Sequence, residues 1–295
     1  MKTQNFGIEI ELTGITRETA ARAVAAYFGT AAERTGDSYD TYQVLDSTGG
    51  IWKLMSDSSI HPENRRGEAT SEHKVELVSP ICRYEDIETV QEVVRRLRKA
   101  GGLVNDSTGI HIHIGLGEHT PQTLRNLANI VASKEDLIYE ALKVGILRGE
   151  YCKKMDEDFI AGINTKKPST MGGLADIWYA KYPGENRTAH YHHSRYRLCN
   201  YHSVFTKGTV EFRCFNSTLH AGKVKAYIQF CLAISHQALT QKSASCRKTD
   251  TTNPKYIFRT WLLRLGLIGD EYKTARLHLL EALEGNIAWR YGEPA

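Results

Sequence analysis

A strand places side chains i and i+2 on one face and i+1 on the other. Three segments of this chain use that alternation in the same unusual way. In Gly7-Ile8-Glu9-Ile10-Glu11-Leu12, Glu9 and Glu11 share one face and Ile8, Ile10 and Leu12 the other. In Gly109-Ile110-His111-Ile112-His113-Ile114-Gly115, His111 and His113 stand opposite three isoleucines. In Val210-Glu211-Phe212-Arg213-Cys214, Glu211 and Arg213 stand opposite Val210, Phe212 and Cys214. A chain built this way is expected to pack its apolar faces on helices while the other faces gather carboxylates, imidazoles and a guanidinium. An antiparallel sheet with one wet face also alternates. Wet faces, however, mix Thr, Ser, Lys and Gln, whereas these carry only metal-ligand and acid–base types. Two carboxylates at i, i+2 repel each other, and a cation relieves that repulsion. The pattern therefore points to an active site. Asp57, in Met55-Ser56-Asp57-Ser58-Ser59-Ile60, and Glu76, the only charge in Val75–Ser79, extend the candidate set.

The remaining sequence supplies the frame. Phe6–Leu12 reads as a strand, followed by a helix over Thr16–Phe28 with Thr16 as N-cap and Glu18 and Glu33 on its polar side. Tyr42–Leu45 and Ile51–Met55 flank Asp46-Ser47-Thr48-Gly49-Gly50, a hairpin signature, and Lys74–Val78 is a strand stopped by Pro80. Tyr84–Ala100 has helical spacing and ends at Gly101-Gly102. Its basic end, Arg95-Arg96-Leu97-Arg98-Lys99, suits the helix dipole and solvent. Ile110–Leu116 is a strand, and a long helix is expected from Pro121 to about Leu147. Arg197–Phe205 and Thr209–Phe215 are expected as a second hairpin turning at Thr206-Lys207-Gly208, with Asn200 in mid-strand. Val224–Leu239, Tyr256–Leu265 and Glu271–Leu283 read as helices. Strands dispersed among helices and joined by hairpins indicate an α+β fold with a mostly antiparallel sheet. Residues 1–242 are expected to form the catalytic domain. Residues 243–295 form a helical C-terminal extension packed on it, joined through Ser243–Pro254. His190-Tyr191-His192-His193-Ser194-Arg195-Tyr196-Arg197 reads as an exposed polar loop that could also serve as a lid over an acid substrate or ATP phosphates.

Composition narrows the function classes. With 41% hydrophobic and 24% charged residues the chain is an ordinary globular one, neither disordered nor low-complexity. Thirty-eight basic against 34 acidic residues give +4, enough to admit an anionic substrate but too little to argue for a nucleic-acid binder. The six cysteines are scattered without a CxxC, as expected of free thiols in a reducing compartment, and none pairs with a His in sequence. Carboxylates interrupt the apolar run of the first 12 residues, and no uncharged stretch approaches ~20 residues. A cytoplasmic protein without membrane or nucleic-acid partners is expected.

Hard oxygen ligands suit Mg²⁺, completed by substrate phosphates, and an adjacent Arg neutralises a phosphoryl group in transfer. No Walker A and no G-x-G-x-x-G turn after a strand is present, so a phosphate site here would be built from metal and side chains. Two other readings stand beside nucleotide chemistry. One is a metal hydrolase with Zn²⁺ on His111 and His113. The other is a non-catalytic nucleic-acid-binding module, for which only Tyr191–Tyr201 interleaves aromatics with basic residues.

Taken in order, Phe6-Gly7-Ile8-Glu9-Ile10-Glu11, Asp57-Ser58-Ser59, Glu76-Leu77-Val78-Ser79-Pro80, Gly109-Ile110-His111-Ile112-His113 and Glu211-Phe212-Arg213-Cys214-Phe215-Asn216-Ser217-Thr218 resemble the amidoligase family. That family belongs to the carboxylate–amine ligase superfamily of glutamine synthetase and glutamate–cysteine ligase. The C-terminal run from Phe258 to Trp289, with Gly266-Leu267, Tyr272-Lys273 and Gly285, is similar to it as well. The resemblance implies a glutamine synthetase-like catalytic domain, a curved antiparallel sheet backed by helices with ATP and Mg²⁺ in its polar concavity and Mn²⁺ as a substitute. It implies ATP-dependent phosphorylation of a carboxylate, glutamate or a peptide carboxyl, and attack of an amine on the acyl phosphate. It assigns Glu11 and Glu76, with Asp57, to the metal beside the acceptor carboxylate, and Glu9, His111 and Glu211 to the metal that bridges the ATP phosphates. His113 is placed near the nucleotide and Arg213 on the transferring phosphoryl group. Arg195 and Asn200 match further family positions, the latter in its Arg-Tyr-x-x-Leu-Asn pattern. Because these carboxylates would crowd together, neutralising one of Glu9, Glu11, Glu76 or Glu211 is expected to leave the metal-free protein at least as stable.

Overall fold

The computed structural model describes residues 1–67, 69–250 and 252–288. Along the chain run β1 (Phe6–Leu12), α1 (Arg17–Phe28), β2 (Ala32–Arg34), β3 (Tyr42–Leu45), β4 (Ile51–Met55), β5 (Val75–Val78), α2 (Ile87–Lys99) and β6 (Gly109–Gly115). They are followed by α3 (Pro121–Leu142), α4 (Ile146–Tyr151), α5 (Glu157–Lys166), α6 (Met171–Trp178), β7 (Cys199–Asn200), α7 (His202–Thr206) and β8 (Thr209–Asn216). Among the described residues three further helices follow: α8 (Ala221–Thr240), α9 (Pro254–Arg264) and α10 (Lys273–Leu280). The eight strands follow the order β2-β3-β4-β5-β1-β6-β8-β7. The β1–β5, β2–β3, β3–β4, β4–β5 and β7–β8 ladders are antiparallel. Two compact units divide the chain. An amino-terminal unit comprises Lys2–His113 and Phe215–Ile228; a helical unit comprises Met1, Ile114–Cys214 and Gln229–Ala295. Among the described residues no helix is long and apolar enough to cross a membrane.

In the amino-terminal unit the apolar faces of the strands form the core. Ile8, Ile10 and Leu12 are at most 1% exposed, and each such burial contributes roughly 1.5–3 kcal/mol. α1 packs on this side, opened by Thr16, whose hydroxyl accepts the Thr19 N–H, and closed by Gly29 at φ 69°. The β3–β4 hairpin forms as expected because Asp46 organises its turn, accepting the N–H groups of Thr48 and Gly50, both at 2.8 Å. A β-carbon on Gly50 would lie 2.4 Å from that carboxylate, so the turn requires glycine there. Glu33 does not belong to the first helix. Gly29 ends α1, and Glu33 lies in β2 opposite Gln43.

The helical unit is centred on α3, which is shorter than its periodicity suggests. Lys143 adopts the left-handed conformation (φ 48°, ψ 49°) and stops the helix at Leu142; α4 begins after Gly145. Side-chain and main-chain groups of α3 also hold the expected linker. Asn126 Nδ2 donates to Gln241 O (2.8 Å), Asn129 Nδ2 donates to Ala244 O (3.0 Å), and Ser133 O accepts the Thr249 N–H (3.0 Å). Phe230, Phe258 and Trp261 pack with ring centroids 5.5–5.8 Å apart and join α8 to α9. The last helix among the described residues is α10, preceded by a short 3-10 turn at Asp270–Tyr272. Trp289 lies outside the described residues.

The expected second hairpin is corrected. Its first arm is not a strand to Phe205: β7 is two residues long, Asn200 is its last residue, and His202–Thr206 is helical. The cause is local. The Asn200 side-chain oxygen accepts the His202 N–H at 2.8 Å, and Thr206 Oγ1 donates back to His202 O at 2.8 Å. An asparagine that satisfies a helix-start donor favours the turn over further pairing. Gly208, at φ 67°, then returns the chain into β8.

Candidate active site

The polar strand faces are not wet. In the amino-terminal unit Glu11 is 3%, His111 4% and His113 8% exposed, which removes the solvated-face explanation for their alternation. The β1–β5 register sets Glu11 directly opposite Glu76, and β4 brings Met55 opposite Glu76 from the other side. Two residues past Met55, Asp57 accepts the Ser59 N–H at 2.7 Å, an Asx turn that anchors its carboxylate at the strand end. His111 Nδ1 lies 3.0 Å from Glu9 Oε2, His113 Nε2 3.3 Å from Glu9 Oε1, and His111 Nε2 3.7 Å from Glu11 Oε1. The Gly109 N–H donates to Glu11 Oε2 at 2.5 Å.

Two sets of ligand atoms gather around Glu76. Those of Glu9, Glu76 and His111 lie within 4.8 Å of one another, as do those of Glu11, Asp57 and Glu76. Ligands held ~2.1 Å from an octahedral Mg²⁺ stand roughly 3–4 Å apart, so a small inward adjustment would suffice. The second set is all carboxylate, the hard donor chemistry that Mg²⁺ prefers. Like charges directly opposite in a ladder are otherwise destabilising. The residues present therefore fit a divalent cation.

Two serines that sequence reasoning passed over support this arrangement. Ser79 Oγ accepts the Ile8 N–H at 3.0 Å, tying the end of β5 to β1. Ser217 donates its hydroxyl to Glu11 O, and its N–H donates to Thr108 O at 3.1 Å, so the segment after β8 braces both β1 and the entry to β6. Each serine lies within a motif quoted above, which was the available signal.

The helical unit holds the third polar face. Glu211 and Asn200 are 1% exposed and Arg213 4%. Asn200 stands opposite Glu211 in the β7–β8 ladder and donates Nδ2–H to Glu211 Oε2 at 2.6 Å. Arg213 Nη1 pairs with Glu211 Oε1. The Arg213 main-chain carbonyl accepts from Arg148 Nη2 at 3.0 Å, and its guanidinium lies 5.9 Å from the Tyr196 ring centroid. Arg195 is 5.8 Å from the same ring and donates to His190 O at 2.9 Å. Tyr196 thus lies beside both guanidinium groups. This carboxylate balances a buried guanidinium, so neutralising Glu211 is expected to cost stability rather than spare it.

The His190–Arg197 segment also departs from an exposed loop. His192 and Ser194 are 2% and 1% exposed, while Tyr191 is exposed. Trp178 Nε1 donates to Ser194 Oγ at 2.9 Å, and the His192 ring stacks on His202. Four buried thiols are poor nucleophiles. Burial pushes Cys82 up to about 12 and holds Cys199, Cys214 and Cys231 well above the ordinary thiol range, so none is a ready thiolate.

No curated protein matches the chain significantly. Residues 2–235, which hold every strand and every candidate ligand described above, match the family described as "putative amidoligase enzyme". The match spans most of the chain, and this chain belongs to the amidoligase family.

Proposed function

We propose that the protein is an ATP- and Mg²⁺-dependent carboxylate–amine ligase that forms an amide through an acyl phosphate, on a glutamine synthetase-like catalytic fold. The observation that carries this reading is the burial of Glu11 opposite Glu76, with Asp57 and His111 beside them. A buried carboxylate set opposite a half-buried one is a place where a cation would relieve the repulsion. In this reading Glu11, Glu76 and Asp57 hold one Mg²⁺, and Glu9, His111 and Glu211 hold a second, as the family resemblance assigns them. The bound ions would neutralise phosphate charge and polarise the acceptor carboxylate.

The chain's own groups orient the reactants. A carboxylate oxygen of the acid attacks the γ-phosphorus as the bond to ADP breaks. The amine nitrogen then attacks the acyl carbon, phosphate leaves, and nitrogen loses a proton. Arg213, whose planar guanidinium pairs with Glu211, is assigned to the phosphoryl oxygens, which a planar fork of donors can engage two at a time. His113 and Asn200 are assigned to the nucleotide side, and Arg195 to the anionic substrate. Glutamate or a peptide carboxylate is the proposed acid.

The expected result is ADP release that needs Mg²⁺, a carboxylate and an amine together, with Mn²⁺ able to replace Mg²⁺ and Zn²⁺ not. Protein that retains Zn²⁺ through purification, loses it in His111→Ala, and hydrolyses substrates without ATP would point to the metal hydrolase instead.

A further inference from the structure

Asn200 and Glu211 form one end of a longer buried chain of hydrogen bonds in the helical unit. Asn200 Oδ1 accepts the His202 main-chain N–H at 2.8 Å, which turns the amide so that its NH₂ group faces Glu211. A flipped amide would set its oxygen against the carboxylate. The His202 imidazole is 4% exposed and held at both nitrogens. Nε2 lies 3.0 Å from Ala189 O, which can only accept, so Nε2 carries the proton. Nδ1 is then the acceptor for the Tyr179 hydroxyl at 2.6 Å. Burial first, and then the neighbouring His192, push this imidazole down to about 4, which keeps it neutral at physiological pH.

A second ring secures the first. His192 stacks on His202 with centroids 5.1 Å apart and planes 17° apart. The Ser194 N–H donates to His192 Nδ1 at 3.1 Å, which leaves the proton on Nε2, 3.5 Å from Glu185 Oε2. Tyr179 meets both rings edge-on, at 5.0 Å for His192 and 5.8 Å for His202. The start of α7, the 189–196 segment and the end of β7 are thereby fixed to one another.

We propose that Tyr179 and His202 are positioning residues for Glu211. The phenol holds the imidazole, the imidazole holds the first residue of α7, and that residue's N–H holds the Asn200 amide against the carboxylate. With Asn200 on one oxygen and Arg213 on the other, Glu211 has a single orientation, and the direction of its lone pairs toward a cation is set from Tyr179. The consequence for turnover rests on the ligase reading; the geometry does not.

Tyr179→Phe removes only the hydroxyl and keeps the ring contacts; it takes away the 2.6 Å bond to His202 Nδ1 together with the longer 3.3 Å contact to Arg187 O. Two readouts are taken: exchange of the Asn200 side-chain NH₂ protons by NMR, and steady-state ATP turnover. Tyr179→Phe should speed Asn200 exchange about tenfold or more, since a loosened acceptor no longer protects it. It should also lower kcat by about ten- to a hundredfold, the usual effect of removing a partner behind a metal ligand, with KM for ATP within about twofold. His202→Leu should show the same effects more strongly. His202→Gln, which can still donate to Ala189 O, should recover part of them. Wild-type Asn200 exchange together with wild-type kcat in Tyr179→Phe and His202→Leu would overturn the proposal, even if both variants melt lower, because that is the signature of a merely structural residue. Faster Asn200 exchange in the variants, with no ATP turnover by wild type on any acid–amine pair, would reject the ligase reading and support the positioning of Glu211.

Discussion

Arg213→Lys is expected to lose most of its turnover, about 10²–10³ in kcat, while ATP affinity stays within a few-fold of wild type. Lysine retains the charge, and its ammonium can still pair with Glu211, so the buried ion pair survives. What is lost is the planar fork. Arg213 Nη1 pairs with Glu211 and its Nε donates to Tyr151 O at 3.4 Å, and only a planar guanidinium, unlike a point-charge ammonium, could present two fixed donors to two phosphoryl oxygens at the same time. Steady-state kinetics with saturating Mg²⁺ read the effect. A Lys variant with near-wild-type kcat would make Arg213 a structural partner of Glu211 and nothing more.

The largest expected change in stability is at Glu211. Glu211→Ala leaves the Arg213 guanidinium, whose side chain is 5% exposed, without this counter-charge and takes the acceptor away from Asn200 Nδ2. Removing one partner of a buried pair costs about 3–5 kcal/mol, a melting shift of roughly 10 °C for a chain of this size. Replacing both partners, Glu211→Met with Arg213→Met, should recover most of that loss, since an apolar pair leaves no buried charge behind. Thermal melts of the metal-free proteins decide it. A Glu211→Ala protein as stable as wild type would contradict this and favour the expectation from sequence that neutralising this carboxylate costs nothing.

Features that repeat with the period of a strand were legible. Glu9, Glu11, His111, His113, Glu211 and Arg213 could be placed on shared faces because alternation is a local property of the backbone. The first hairpin was legible for a similar reason, since Asp46 and Gly49-Gly50 carry their own turn chemistry. Long-range hydrogen bonds were not. Nothing local to Asn200 marks it as the residue that ends β7, because its partners are a helix N–H and a carboxylate 11 positions away. Likewise, the burial of His192 depends on Trp178, Tyr179 and His202 folding around it, so a segment rich in His, Tyr and Arg read as exposed. Between α4 and β7 the helices are short and weakly periodic. The caps were there to be read, since Asp156 accepts the Phe159 N–H at 3.1 Å and Thr170 the Gly173 N–H at 3.1 Å. Without an apolar stripe behind them, caps alone do not announce helices of 10 and 8 residues.

The central claim is that this site activates a carboxylate with ATP, and oxygen transfer tests it most directly. An acid that supports ADP release, labelled with ¹⁸O in its carboxylate, is turned over with ATP, Mg²⁺ and the amine, and the phosphate is analysed by mass. An acyl phosphate requires one labelled oxygen to leave with each phosphate, because the carboxylate oxygen that attacked phosphorus departs with it when the amide forms. Phosphate that carries no label, with both labelled oxygens still in the acid or its product, would contradict the account.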